Sequence, residues 1–292
     1  MRTIDLAYVG RGLHEELVAY IADQQGYYAD EGVHVALHDG ISWDDERLRR
    51  CATIGLGRAL LSRLIDGTPW VVLNVNTHRP LFWFLARHGL TSLADLAGRR
   101  LAVHGPRTPP GCFARIVLRR AGLDPDHDVH TVVRHPGDYG LDLRALRDGS
   151  IDAAYVGSTM APEAVAAERG WQVLAWVGDY FQIPTVGVAV DPTYISPDDP
   201  AVQAVVRAHR RALQVIHNDP DTTVRYMRTF LGGQTTDEVR AHYETFIAPY
   251  FTTDGQADLA VGDRAVAAVA AELGVPATVT AAEVYRTATT TP

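Results

Sequence analysis

The chain has 292 residues, a formal net charge of -8, 47% apolar residues and 21% charged residues. That length can bury one large core or two modest lobes, and the composition is that of a globular protein. The negative balance argues against nucleic acid or an anionic membrane as the main partner. No run approaches membrane-spanning length, so no membrane insertion is expected. The sequence contains no Lys, so all 27 basic side chains are Arg. That excludes Schiff-base and pyridoxal phosphate chemistry, and no cofactor is expected. Cys51 and Cys112 stand far apart and in no metal-ligand spacing. Free thiols are the default reading, a single disulfide the alternative, and no metal is expected.

In chain order, IDLAYVG (4–10) predicts a strand, followed by a loop carrying Arg11 and His14 into a helix that runs to Gln25. The junction of a strand's C-terminal end with a helix N-terminus is where open α/β sheets bind ligands. VHVAL (33–37) is the second strand and the charged stretch 43–50 a short helix. CATIGLG (51–57) is a strand ending in Gly55 and Gly57, which allow backbone N–H groups to approach a ligand. A helix over 58–66 and a strand in TPWVVLNVN lead to Asn76, Thr77, His78 and Arg79. Arg79 offers a planar fork for a carboxylate, sulfonate or phosphate, and His78 can carry a proton near neutral pH. An interlobe salt bridge or a solvated turn is the competing reading.

The stretch 89–179 alternates short apolar runs with amphipathic segments. LAVH (101–104), VHTVV (129–133), AAYVG (153–157) and WQVLAWV (171–177) predict buried strands, with helices between them, as in a βαβ series. Arg107, Thr108 and Cys112 lie where the first of these strands enters its helix, but three prolines remove amide donors there and predict a shaped wall. Cys112 reads either as a small buried residue or as a thiol made acidic by the helix N-terminus. His135, then Tyr155 and Ser158, fall at further strand ends, and Tyr180 and Gln182 precede a strand returning to the first half. From residue 198 onward the chain predicts helices broken by Pro220 and Gly232–Gly233.

TSLADLAGRRLAV (91–103) resembles the entry into the second lobe of type II periplasmic binding proteins. GYYADEGVHVAL, the glycine turn at 52–57 and LRDGSIDAAYVG match the same family in order, over roughly residues 1 to 230. The resemblance is to the sulfonate-binding and thiamine-pyrimidine (SsuA/NMT1-like) group. It implies an α/β fold of two lobes, with mainly parallel sheets flanked by helices and a ligand cleft between the lobes. Lobe one is expected over 1–103 and 190–292, lobe two over 104–189, with crossings near His104 and near 185–190. The pyrimidine-synthase activity of that group requires a lysine and a Cys-rich motif that this chain lacks, so it is not carried over.

The expected function is binding of a small organic ligand, anionic or aromatic, by a solute-binding-like protein. The alternative is a cytoplasmic, cofactor-independent lyase, a decarboxylase or dehydratase acting on a small carboxylate. In that case Arg79 would hold the carboxylate and His14 or His78 would move the proton. The opening MRTIDLAYVG is already a core strand without an export segment, which predicts a cytoplasmic protein. A trimmed export segment would instead place it in the periplasm or outside the cell.

Overall fold

In a computed structural model the structure is described for residues 2–10, 12–55, 57–134 and 141–287. Among the described residues ten strands form two five-stranded sheets. The first sheet has the order β2-β1-β3-β10-β4, built from β1 (Arg2–Tyr8), β2 (Val33–Asp39), β3 (Ala52–Ile54), β4 (Val71–Val72) and β10 (Val188–Val190). The second has the order β7-β6-β8-β5-β9, from β5 (Phe82–Ala86), β6 (Arg100–Val103), β7 (His130–Val133), β8 (Ala153–Gly157) and β9 (Gln172–Trp176). Both are mixed. β1 is parallel to β2 and β3, and β6 to β7 and β8, while β10 and β5 run antiparallel to their neighbours.

The helices start where the sequence supplies start signals. Thr108 caps the helix Pro109–Arg120, Asp199 caps Pro200–Asn218, and Asp258 caps Leu259–Leu273. Each side-chain oxygen satisfies an amide that the helix leaves unpaired, and proline at the first helical position needs none. Apolar faces then bury against the sheets, with Leu17, Val18 and Ile21 of Leu13–Gln24 completely buried.

The first crossing between lobes lies earlier than residue 103. Phe82–Ala86 and Arg100–Val103 both pair in the second sheet, so residues 82–103 are part of that lobe's sheet region. All five residues of β5 are buried, because it lies between β8 and β9. A strand covered on both faces reads as one unbroken apolar run, and nothing in such a run marks which sheet it joins. The chain crosses at Asn76–Arg79, beside the return crossing. There Thr185 N–H donates to Thr77 O at 2.9 Å and Ile183 N–H donates to His78 O at 2.9 Å.

The return crossing is conformationally specified. Val186 has φ 55°, the one positive value at a non-glycine residue among those described. Gly187 follows at φ 137°, so close to the incoming chain that a Cβ would lie 1.8 Å from Asn74 O. Left-handed backbone and this approach together require glycine. Gly187→Ala is expected to cost about 2–5 kcal/mol, read as a lowered urea midpoint with an unchanged denaturant slope.

Candidate functional site

The lobes meet at the first turn of the Leu13–Gln24 helix. Leu13 N–H donates to Ser158 O at 3.2 Å, and His14 N–H donates to Ser158 Oγ at 3.3 Å. His14 Nδ1 also pairs with Ser158 Oγ. Gly12 admits this approach, since a Cβ on it would stand 2.6 Å from Ser158 Oγ. Asn76 Nδ2 donates to His14 O at 3.4 Å and is itself fixed by Asn74 Nδ2, which donates to Asn76 Oδ1 at 3.2 Å.

Around this contact stands an aromatic cluster. Phe82 stacks on Tyr155 at 4.9 Å and 9° between ring planes. His14 meets the Phe82 ring edgewise at 5.3 Å, and His104 sits edgewise against both Phe82 and Tyr155. Burial pushes the His14 imidazole down to about 3. Burial, helped by the charge of Arg134, does the same to His104, also to about 3. Burial raises the Tyr155 phenol, so all three groups are neutral at physiological pH. Glu15 Oε1 lies 3.3 Å from His14 Nε2 but without hydrogen-bond geometry. With the imidazole neutral this is a dipolar contact and not an ion pair. His14 Nε2, His104 Nδ1 and the Tyr155 hydroxyl are buried without a hydrogen-bond partner.

Of the residues expected at the site, His14, Asn76, Tyr155 and Ser158 come together here. Gly55 and Gly57 flank the start of the Arg58–Asp66 helix and serve close packing. A Cβ on Gly55 would lie 2.0 Å from Val9 Cγ2, and one on Gly57 2.8 Å from Phe113 Cζ. Thr77 is used by the crossing, its hydroxyl donating to Tyr250 O at 3.0 Å. His78 Nε2 accepts from Asp258 N–H at 2.8 Å, which ties the crossing to the start of the Leu259–Leu273 helix. Arg79 is paired with Asp179 at 3.1 Å and lies over the faces of Trp176 and Tyr250. Neither His78 nor Arg79 joins the cluster, because their strand end is a crossing whose polar groups are already engaged.

Arg107 is exposed, and Thr108 is the N-cap of the Pro109–Arg120 helix. Cys112 is buried, and burial pushes its thiol up to about 12, the opposite of an activated thiolate. Both cysteines are free. Tyr180 is 39% exposed, with its carbonyl accepting from Arg120, and Gln182 is partly buried. Arg11 and His135 lie outside the described residues. Sequence reasoning missed Phe82 and His104. Their signal was an aromatic-rich strand and a His just past the C-terminal end of another, which the assembled sheet brings into one cluster.

The two sheets, the paired crossings and the buried contact between lobes define the two-lobed periplasmic-binding-protein fold. The chain belongs to the NMT1/THI5-like family, whose sequence profile matches residues 15–223. Among solved structures it is similar to the alkanesulfonate-binding protein SsuA from Xanthomonas axonopodis pv. citri bound to MOPS. That match has a TM-score of 0.76 at 14% identity and covers 98% of each chain. It is also similar to the periplasmic aliphatic sulphonate binding protein SsuA from Escherichia coli, with TM-score 0.72 and 14% identity over 93% of this chain and 87% of that one. A third similar structure is the desulfurization enzyme DSZB, with TM-score 0.68 and 17% identity over 93% of both chains. No curated protein matches. Among the described residues no helix is long and apolar enough to cross a membrane, and no cluster of metal-ligating side chains is found.

The buried imidazoles set a pH dependence. His14 has a folded pKa of about 3 against 6.5 when exposed, so between those values the unfolded chain binds more protons. Stability is then complete above about pH 6.5 and is lost as pH falls toward 3. Lowering the pH from 7.5 to 5 is expected to cost about 1–2 kcal/mol for this one group. Urea unfolding of the wild type and of His14→Gln at both pH values checks this. The variant should show a pH difference smaller by that amount.

Proposed function

We propose that the protein binds a small organic molecule between its lobes and closes upon it. The observation that carries this reading is the set of buried, unpartnered polar atoms on Tyr155, His104 and His14 at the lobe contact. Leaving such a group unsatisfied costs about 1–3 kcal/mol each, a penalty that a bound molecule with matching donors and acceptors removes. The stacked Phe82–Tyr155 pair beside those atoms gives the site an aromatic character that favours a ring in that molecule. The reading is supported by similar folds described as sulfonate-binding proteins and as the ligand-binding component of an ABC-type import system from Staphylococcus aureus. Capture for delivery or sensing fits a site built between two lobes that are joined by paired crossings.

A cofactor-independent lyase is the second reading, and one observation favours it. Ser158 Oγ on His14 Nδ1, with Glu15 beside Nε2, lines up a hydroxyl, an imidazole and a carboxyl group at the lobe contact. Its expected carboxylate clamp, Arg79, is committed to Asp179, and its expected proton carrier, His78, to the Asp258 amide.

The two readings separate on the protein as purified. Native mass spectrometry, then denaturation and identification of the released molecule, should give one small molecule per chain, unchanged after prolonged incubation. Tyr155→Ala should lower its occupancy by about tenfold, with circular dichroism confirming the fold. Release of a decarboxylated or dehydrated product would instead establish the lyase.

A further inference from the structure

A groove of about 450 Å³ lies on the first lobe, lined by none of the residues of the Ser158 contact. Its sides are the helices Asp45–Arg49 and Arg58–Asp66, and Trp70 and Tyr194 also line it. The first helix rises about 7.5 Å and the second about 13.5 Å, so the shorter one cannot flank the longer along its whole length. The volume falls in the range of small-molecule sites, roughly 300–1,000 Å³.

The charges in this wall are already answered inside the protein. Arg49 is paired with Asp191, whose side chain is fully buried, and Arg58 with Asp45. Glu46 is paired with Arg50 at 2.8 Å. Asp66 accepts from the Thr68 amide at 2.9 Å and from the Thr68 hydroxyl at 2.5 Å. The Arg49 and Arg50 guanidinium carbons stand 5.2 and 4.7 Å from the Tyr194 ring, which stays partly exposed.

These contacts leave hydrogen-bonding capacity over. A guanidinium carries five N–H donors and a carboxylate about four acceptor positions. Arg58 Nε has no hydrogen-bond partner. The Asp45 and Glu46 side chains are more than two-thirds exposed, and those of Arg49 and Arg58 more than a quarter. Ser62 and Tyr194 add hydroxyls to the same wall. The groove is therefore rich in donors and acceptors of both kinds while its charges are spoken for.

We infer that this groove is a second binding site, for a neutral hydroxyl-rich molecule, a sugar or another polyol. A hydroxyl donates and accepts at once, so a molecule bearing several can meet a mixed wall without bringing charge to it. An anion would find Arg49 and Arg58 already paired and would lie beside Asp45, Glu46 and Asp66. A cation would find those carboxylates engaged and would lie beside the arginines. Either ion loses hydration without gaining a free counter-charge, which favours the neutral molecule.

The test is ligand-observed NMR on the full chain at pH 6.5, with glucose, galactose and myo-inositol as neutral probes. Glucuronate and protonated glucosamine present a similar ring carrying a charge. At least one neutral probe is expected to bind, with a dissociation constant of about 1–10 mM and about threefold or more tighter than either charged ring. Ser62→Leu, which puts an apolar side chain into the groove, should abolish that binding, and Tyr155→Ala should leave it unchanged. Should Ser62→Leu fail to fold by circular dichroism, Arg58→Gln should weaken binding about threefold or more. No binding by any neutral probe up to about 100 mM overturns the inference. So does tighter binding of glucuronate or glucosamine. Binding that survives the groove variants, or that Tyr155→Ala removes, overturns it as well and places the polyol elsewhere.

Discussion

Ser158 holding the first turn of the Leu13–Gln24 helix is the contact on which the rest of the site depends. It joins the end of β8 in the second sheet to the start of the first helix of the other lobe, through one backbone and two side-chain hydrogen bonds. That junction covers His14 completely and closes the aromatic cluster behind it. Covered imidazoles lose their charge, and the cluster becomes a set of neutral donors and acceptors in a water-poor space.

Several elements outside the cleft hold the geometry that makes this contact possible. The two crossings run antiparallel and bonded to each other, so the lobes are joined by a narrow, specified strip rather than a loose linker. His78 and Thr77, which would suit a ligand by chemistry, are used to fasten that strip to residues 250 and 258. Near the other end, Glu272 of the Leu259–Leu273 helix is buried between Arg115 and Arg119 of the Pro109–Arg120 helix, at 2.5 and 2.8 Å. A carboxyl group at 3% exposure with two guanidinium partners is an ordering contact, since losing both partners would leave a buried carboxylate uncompensated.

The fold was largely legible in the sequence, for reasons that particular residues make plain. The helices expected after residue 198 are present, and Pro220, expected as a break, opens the helix Pro220–Met227, as Pro109 and Pro200 open theirs after a capping Thr or Asp. The strands LAVH, VHTVV and AAYVG keep their places, but VHTVV, expected to be buried, is exposed along His130–Val133 because it is the edge strand of its sheet. What was not legible is sheet membership. Phe82–Ala86 is apolar on both faces, and only its pairing with β8 and β9 shows that the chain has already crossed. The same blind spot hid Phe82 and His104 from the site. Arg79 was overvalued because side-chain direction at a strand end cannot be read from spacing, and Asp179, a hundred residues away, was its partner. Ser158 and His14 each stood out alone, but their meeting across 144 residues belongs to the fold.

Amide hydrogen exchange at Leu13 and His14 tests the central claim most directly, since both amides donate across the lobe contact to Ser158. It is best measured by NMR on the protein as purified, and again after unfolding, dialysis and refolding to strip any bound molecule. If ligand binding holds the lobes together at Ser158, both amides should exchange at least about tenfold faster in the stripped protein and recover when the released fraction is returned. Equal exchange in the two preparations, with a ligand demonstrably present in one of them, would contradict the account and place binding somewhere other than between the lobes.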